Sequence, residues 1–205
     1  MKKLAILGVL LSILCAWPTA AKADNWGVGV KVGVSENDPK TLKEIQDYSY
    51  RSELTEDGAG FVGAEVLYEF DLKDEANKLG VKLGVDVFGQ NELEIYSPMY
   101  GKITETTFAL PLTVYYKRDN GVKGWSPFVG AGVSFFRTQI KEDGMKYHES
   151  KFVPHIAAGA EYRFTNLFAL GFEAKYNFNA KLEKDGAVYS DHTGLSGAIT
   201  GRFYF

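Results

Sequence analysis

His148-Glu149-Ser150 places an imidazole and a hydroxyl two residues apart in a chain of 205 residues, with Glu161 further along. On a β-strand, residues i and i+2 share a face, so such a histidine can take the proton of the serine while a carboxylate orients the ring. That is the arrangement of nucleophilic acyl transfer. The triplet lies in a polar connection, where a His near a Ser arises from composition alone. The other histidines stand apart: His155 reads as a hydrogen-bonding filler of a closed interior, and His192 as a loop residue. No group of His, Cys, Asp and Glu has metal-ligand spacing. The glycines after Trp26 are followed by no helix pattern, so they form no phosphate-binding loop. The reading therefore holds no catalytic, cofactor-binding or metal residue, and no cofactor.

The ends of the chain direct attention to export. Residues 1–23 read as a secretory signal peptide: Lys2 and Lys3, an apolar run from Leu4 to Trp17, then Ala21-Lys22-Ala23, with cleavage before Asp24. Residues 24–205 form the mature domain. Cys15, the single cysteine, leaves with the leader, so disulfide scaffolding and thiol chemistry are excluded. The leader also takes Lys2, Lys3 and Lys22 from the 23 basic residues, leaving 20 against 26 acidic ones, a formal charge of −6. A nucleic-acid partner is disfavoured on that count.

The elements that must position any site are strands. Phe168 to Phe178 alternates strictly: Phe168, Leu170, Phe172, Ala174, Tyr176 and Phe178 against Ala169, Gly171, Glu173, Lys175 and Asn177. The same period recurs over Trp26–Ser35, Gly60–Phe70, Leu79–Gly89, Thr104–Lys117, Pro127–Ile140, Lys151–Phe164 and Thr193–Phe205. Eight strands of about ten residues match an all-β, eight-stranded, antiparallel, up-and-down transmembrane barrel. Pro111 and Pro154 fall inside strands and imply a bulge or a locally broken pair.

Three features turn the apolar face outward. The polar face is rich in glycine (Gly27, Gly29, Gly33, Gly63, Gly80, Gly84, Gly130, Gly132, Gly159, Gly171), as a narrow lumen requires. It carries both charge signs: Lys31, Lys82, Lys117, Arg163, Lys175 and Arg202 against Glu65, Glu69, Asp86, Glu161 and Glu173. Ions enclosed in a barrel must pair, and Glu65–Lys82 and Glu173–Arg202 are the expected cross-strand partners. Aromatics also gather at one set of strand ends, Trp26, Phe70, Tyr116, Trp125, Phe164, Phe168 and Phe205, as an interfacial girdle would. With strand one running outward, Glu36–Ala59, Gln90–Ile103, Lys141–Ser150 and Ala180–His192 become extracellular loops, the first containing Tyr48 and Tyr50. Gly197 and Gly201 interrupt the lipid face of the last strand, and packing against a neighbouring ring is one way to explain them.

The leader, the run Trp125 to Val133, the A-A-G-A-E-Y-R-F run at Ala157 to Phe164, and the closing Phe203-Tyr204-Phe205 together resemble the small bacterial outer-membrane β-barrel family. That group includes OmpA-type domains, OmpX-type and opacity-type proteins, and is often called porin-like. The resemblance implies a non-enzymatic barrel in the bacterial outer membrane, presenting loops for structural, adhesive or interaction roles. It also implies that Phe203 and Phe205 form the assembly signal, although glycine falls at Gly201 where the usual pattern has it at the position of Thr200. The partners implied are outer-membrane lipid and lipopolysaccharide, the barrel-assembly machinery, periplasmic chaperones and an extracellular ligand of the loops. Two alternatives stay open, a narrow porin-like channel and a lipid A-modifying enzyme. The segment comparable to the active strand of lipid A deacylases, Tyr176 to Ala180, has neither His nor Ser.

Overall fold

The computed structural model describes residues 26–48, 52–56, 59–72, 76–96, 101–142, 145–184 and 187–205. The expected leader and Tyr50 lie outside these residues. The strands in chain order are β1 (Trp26–Ser35), β2 (Ser52–Glu56), β3 (Gly60–Asp71), β4 (Asn77–Ile95), β5 (Gly101–Arg118), β6 (Trp125–Glu142), β7 (Met145–Arg163), β8 (Phe168–Asn177), β9 (Lys181–Lys184), β10 (Ala187–Asp191) and β11 (Gly194–Tyr204), with one helix, α1 (Lys40–Tyr48). Among the described residues, eight of these strands run antiparallel to their neighbours and close a barrel in the order β1, β3, β4, β5, β6, β7, β8, β11. The seam runs from Gly27 opposite Tyr204 to Ser35 opposite Ser196. Closure leaves no membrane-level edge, which is what lets strands cross a bilayer.

The two faces differ as a membrane barrel requires. Val34 and Phe152 on the outer wall are 66% and 71% exposed, whereas Asp86, Lys117 and Glu161 in the lumen are 0% exposed. Apolar side chains on the outside and ions within is the reverse of a water-soluble sheet, and lipid is the solvent that makes it stable.

The strands extend further than the alternation alone marks. β4 and β5 continue together to Ile95 and Gly101, and β6 and β7 to Glu142 and Met145, so the second and third outer connections are largely strand. The ladder between β4 and β5 skips Gly84 and Val85, opposite Pro111 and Leu110, without a change of register there; the register shift lies between Val87 and Gln90. The ladder of β7 with β8 begins at His155, immediately after Pro154.

The first outer connection, expected as loop, contains α1 and β2. Leu42 and Ile45 of α1 pack with Leu54, Leu93, Ile95, Ile103 and Ile140, forming an apolar cap above the barrel. A nine-residue helix has little stability alone, so this packing is what holds it. The last connection holds the hairpin β9–β10, joined to the first by backbone bonds between Asp38 and Asp191.

Candidate functional site

The lumen is the densest collection of polar chemistry in the chain. Near the end of the barrel that holds Trp26 and Phe205, Lys78 lies 3.2 Å from Asp119, and Arg163 3.4 Å from the same carboxylate. Above them Glu161 accepts from Lys117 at 2.9 Å, from Arg202 at 2.9 Å and from the Tyr204 hydroxyl at 2.7 Å. Lys117 also meets Glu69 at 2.5 Å, and the Arg163 guanidinium lies 4.4 Å from the centre of the Tyr204 ring. Higher still, Arg202 donates to Glu65 at 2.7 Å, Lys82 pairs with Glu173, and Lys31 and Lys175 share Asp86 at 2.7 and 3.4 Å.

One expected pair differs. Arg202 faces Glu65 and Glu161, and Glu173 faces Lys82 instead. Glu65 and Lys82 are 3.8 Å apart. The difference has a geometric cause. Glu65 and Arg202 both lie opposite Gly29 on the strand between them, and a Cβ there would stand 3.0 Å from Glu65 Cγ and 3.2 Å from Arg202 Cγ. The glycine leaves the gap over which the two long side chains meet.

The same device recurs. Gly63 separates Lys31 from Asp86, Gly80 separates Glu69 from Tyr115, and Gly132 separates Thr113 from His155. The Tyr115 hydroxyl donates to Glu69 at 2.8 Å, and Thr113 Oγ1 meets His155 Nε2 at 2.9 Å. Ser134 holds the other His155 nitrogen at 3.0 Å. Lys78, Asp119, Tyr115 and Tyr204 were outside the expected network. Lys78 and Asp119 sit in sequence stretches that read as turns. Tyr115 shares its parity with Lys117 and Tyr204 with Arg202, which marks both as inward.

Asp119 lies beyond the strand ends. Burial opposes its ionisation, but the Gly121 N–H and the Arg163, Lys117 and Lys78 cations hold its carboxyl below the usual range.

Above the ions an apolar layer crosses the barrel. It comprises Phe61, Phe88, Ala109, Phe136 and Val153 of the wall, with Ala180 and Leu182 folded in from the last connection. His192, expected as a loop residue, is fully buried here, its ring 5.0 Å from that of Phe88 and 5.2 Å from that of Phe136. Its Nε2 lies 3.1 Å from Ser190 Oγ and 3.3 Å from Thr107 Oγ1. Burial lowers its pKa to about 4. Ser190-Asp191-His192 is thus a second Ser/His spacing, which the expected triplet obscured. It is not a catalytic triad: Ser190 is also fully buried, and among the described residues His192 Nδ1 has no hydrogen-bond partner to orient the ring.

The expected His/Ser pair is separated from its expected carboxylate. In register, His148 and Ser150 share the outer face of β7 with Phe152, while Glu149 takes the inner face. Glu161 is in the lumen, 13 residues down the same strand, about 40 Å away.

The outward aromatics at the strand ends near Trp26 and Phe205 form two contact chains. Trp26 meets Tyr68, which meets Phe70; Trp125 meets Tyr162, which meets Phe164, then Phe168, then Phe203. Leu79 stands in register between Phe70 and Tyr116, completing the row where no aromatic occurs. The Phe205 amide donates to the Trp26 carbonyl at 3.0 Å, tying the terminus to the seam. Gly201 has the Phe168 ring 3.8 Å from its Cβ position. Gly197 has nothing within 4 Å and instead lines a groove of about 510 Å³ on the outer wall with Val32, Phe172 and Ile199.

Solved structures share this architecture. The N-terminal β-barrel domain of Pseudomonas aeruginosa OprF is 15% identical, with 90% of this chain and 100% of that one covered and a TM-score of 0.50. Pseudomonas aeruginosa OprG is 11% identical, covering 89% and 97%, with a TM-score of 0.55. Neisserial surface protein A is 12% identical, covering 88% and 97%, with a TM-score of 0.50. At these identities the likeness is one of fold. No curated protein matches the sequence. The family model of the outer membrane protein beta-barrel domain matches residues 7–198, and the chain belongs to that family.

Proposed function

We propose that this protein is a non-enzymatic barrel of the bacterial outer membrane, with a sealed wall that carries a folded extracellular cap as an interaction surface. The observation that carries this reading is the filled lumen. A charge network and an apolar layer lie in series across it, and α1 with the β4–β6 extensions adds a further apolar cap. Eight strands enclose only enough space for such side chains. The cap is rigidly supported and carries the exposed residues that a ligand would meet, as binding loops on a scaffold do.

Residues 1–23 direct export, and the Phe203–Phe205 end is read by the assembly machinery after chaperoned passage through the periplasm. Trp26, Phe70, Tyr116, Trp125, Phe164, Phe168 and Phe205 mark the periplasmic interface. Outer-membrane lipid and lipopolysaccharide surround the wall.

Planar-bilayer recording tests the seal. Purified barrel, shown closed by heat-modifiable gel migration, gives no steady conductance steps; regular steps would establish the channel alternative. Mass spectrometry of lipid A from cells with and without the protein tests the enzymatic alternative. An acyl chain lost in a manner sensitive to His148→Ala or His192→Phe would overturn the non-enzymatic reading.

A further inference from the structure

The outer surface of the β6–β7 wall changes chemistry at its upper aromatics. Phe135 and Phe152 face each other across the two strands, their ring centres 5.2 Å apart. On the same face above them come the pairs Arg137–Ser150, Gln139–His148 and Lys141–Lys146. Arg137, Lys141, Lys146 and His148 are all exposed. Among the described residues no carboxylate pairs with Arg137, Lys141 or Lys146. Glu92 and Glu94, on the same outer surface, lie on β4 beyond β5, where Lys102 holds them at 2.7 and 3.9 Å.

The height of this column identifies its surroundings. Trp125 to Phe135 spans ten residues, which at about 3.3 Å each and a tilt of about 40° rise about 25 Å. That is the height of the apolar band of such barrels. Arg137 therefore stands at the upper edge of the hydrocarbon, with Lys141 and Lys146 about 10 Å further out. Other walls differ at this level. β8 ends in aromatics, with Tyr176 and then Phe178 just past it, and β1 passes from Val34 to Glu36.

We propose that Arg137, Lys141 and Lys146 bind the phosphorylated headgroup of an outer-leaflet glycolipid, whose acyl chains lie along Phe135 and Phe152. The guanidinium fork suits a phosphate, and the lysines supply charge at greater height. A ligand anchored in the leaflet reaches Arg137 and the two rings together. A soluble polyanion meets only the upper lysines, and the net negative charge of the mature chain repels it. The inference rests on the reading of the chain as an outer-membrane surface barrel and gives its lipid partnership a site.

The test uses the mature barrel in uncharged detergent, titrated with diphosphoryl lipid A, dephosphorylated lipid A or inorganic phosphate, with bound lipid counted by native mass spectrometry. Wild type prefers the diphosphoryl lipid. The triple variant Arg137→Gln, Lys141→Gln, Lys146→Gln loses affinity for it on the order of a hundredfold, and each single variant about fivefold. The control pair Lys43→Gln, Lys102→Gln binds as wild type. Heat-modifiable migration is read on every sample; the single variants decide the matter if the triple variant does not close. Equal binding of phosphorylated and dephosphorylated lipid, unchanged affinity in the closed variants, or saturation by inorganic phosphate alone overturns the site. A wild-type chain that never migrates as a closed barrel instead removes the reading beneath it.

Discussion

Adding one methyl group at either of two glycines separates lumen from lipid. Gly63 lies between Lys31 and Asp86, which meet over it at 2.7 Å. A Cβ there would stand 2.5 Å from Asp86 Oδ1, 2.6 Å from the Val85 carbonyl and 2.8 Å from Lys31 Cε. The carbonyl is backbone and cannot rotate aside, so Gly63→Ala must displace the ion pair. Overpacking costs about 1–3 kcal/mol, and full separation of a buried pair about 3–5 kcal/mol. Against this, replacing glycine inside a strand gains about 0.5–1 kcal/mol. The net expectation is a loss of about 1–4 kcal/mol. Gly197→Ala meets open space and keeps only the gain. Urea unfolding in phospholipid vesicles, followed by tryptophan fluorescence, measures both. If Gly63→Ala unfolds with wild type, or Gly197→Ala loses as much as Gly63→Ala, the assignment of the two faces and of the bridging glycine is refuted.

Asp86→Asn leaves Lys31 and Lys175 facing each other without their shared carboxylate, and the same unfolding assay should show a loss of about 3–5 kcal/mol. Val30→Lys, on the outer wall at mid-strand, should cost about 2–4 kcal/mol in vesicles and far less in small detergent micelles. His192 is held near 4, below its ordinary 6.5, so above pH 6.5 it is neutral whether or not the β9–β10 hairpin is docked. As pH falls from 6.5 to 4 the undocked form takes up the proton first, and docking weakens by up to about 3 kcal/mol before levelling off. Hydrogen exchange of the Leu182 amide should report this loss of protection, and His192→Phe, which keeps a ring between Phe88 and Phe136, should abolish it.

The wall was legible because a period of two needs no tertiary information. The parity that carries Val30, Val32 and Val34 cannot share a face with Lys31, and glycine together with mixed charge on one parity implies a narrow enclosed space. The cap was not legible. Leu42 and Ile45 are two apolar residues in a charged stretch, and they become a helix face only because Leu93, Ile103 and Ile140 lie beneath them. The Ser190–His192 pair was hidden for a similar reason, since two polar residues in a connection give no sign that the connection folds into the barrel mouth.

Alternation and glycine placement determined by themselves that this chain builds an inside-out cylinder of eight strands, because both follow from the local geometry of one strand in two solvents. Which cation meets which carboxylate was decided only by the closed barrel. Lumenal side chains reach across a bridging glycine to the second strand over, and the partner found there depends on shear and registry, which no single strand encodes.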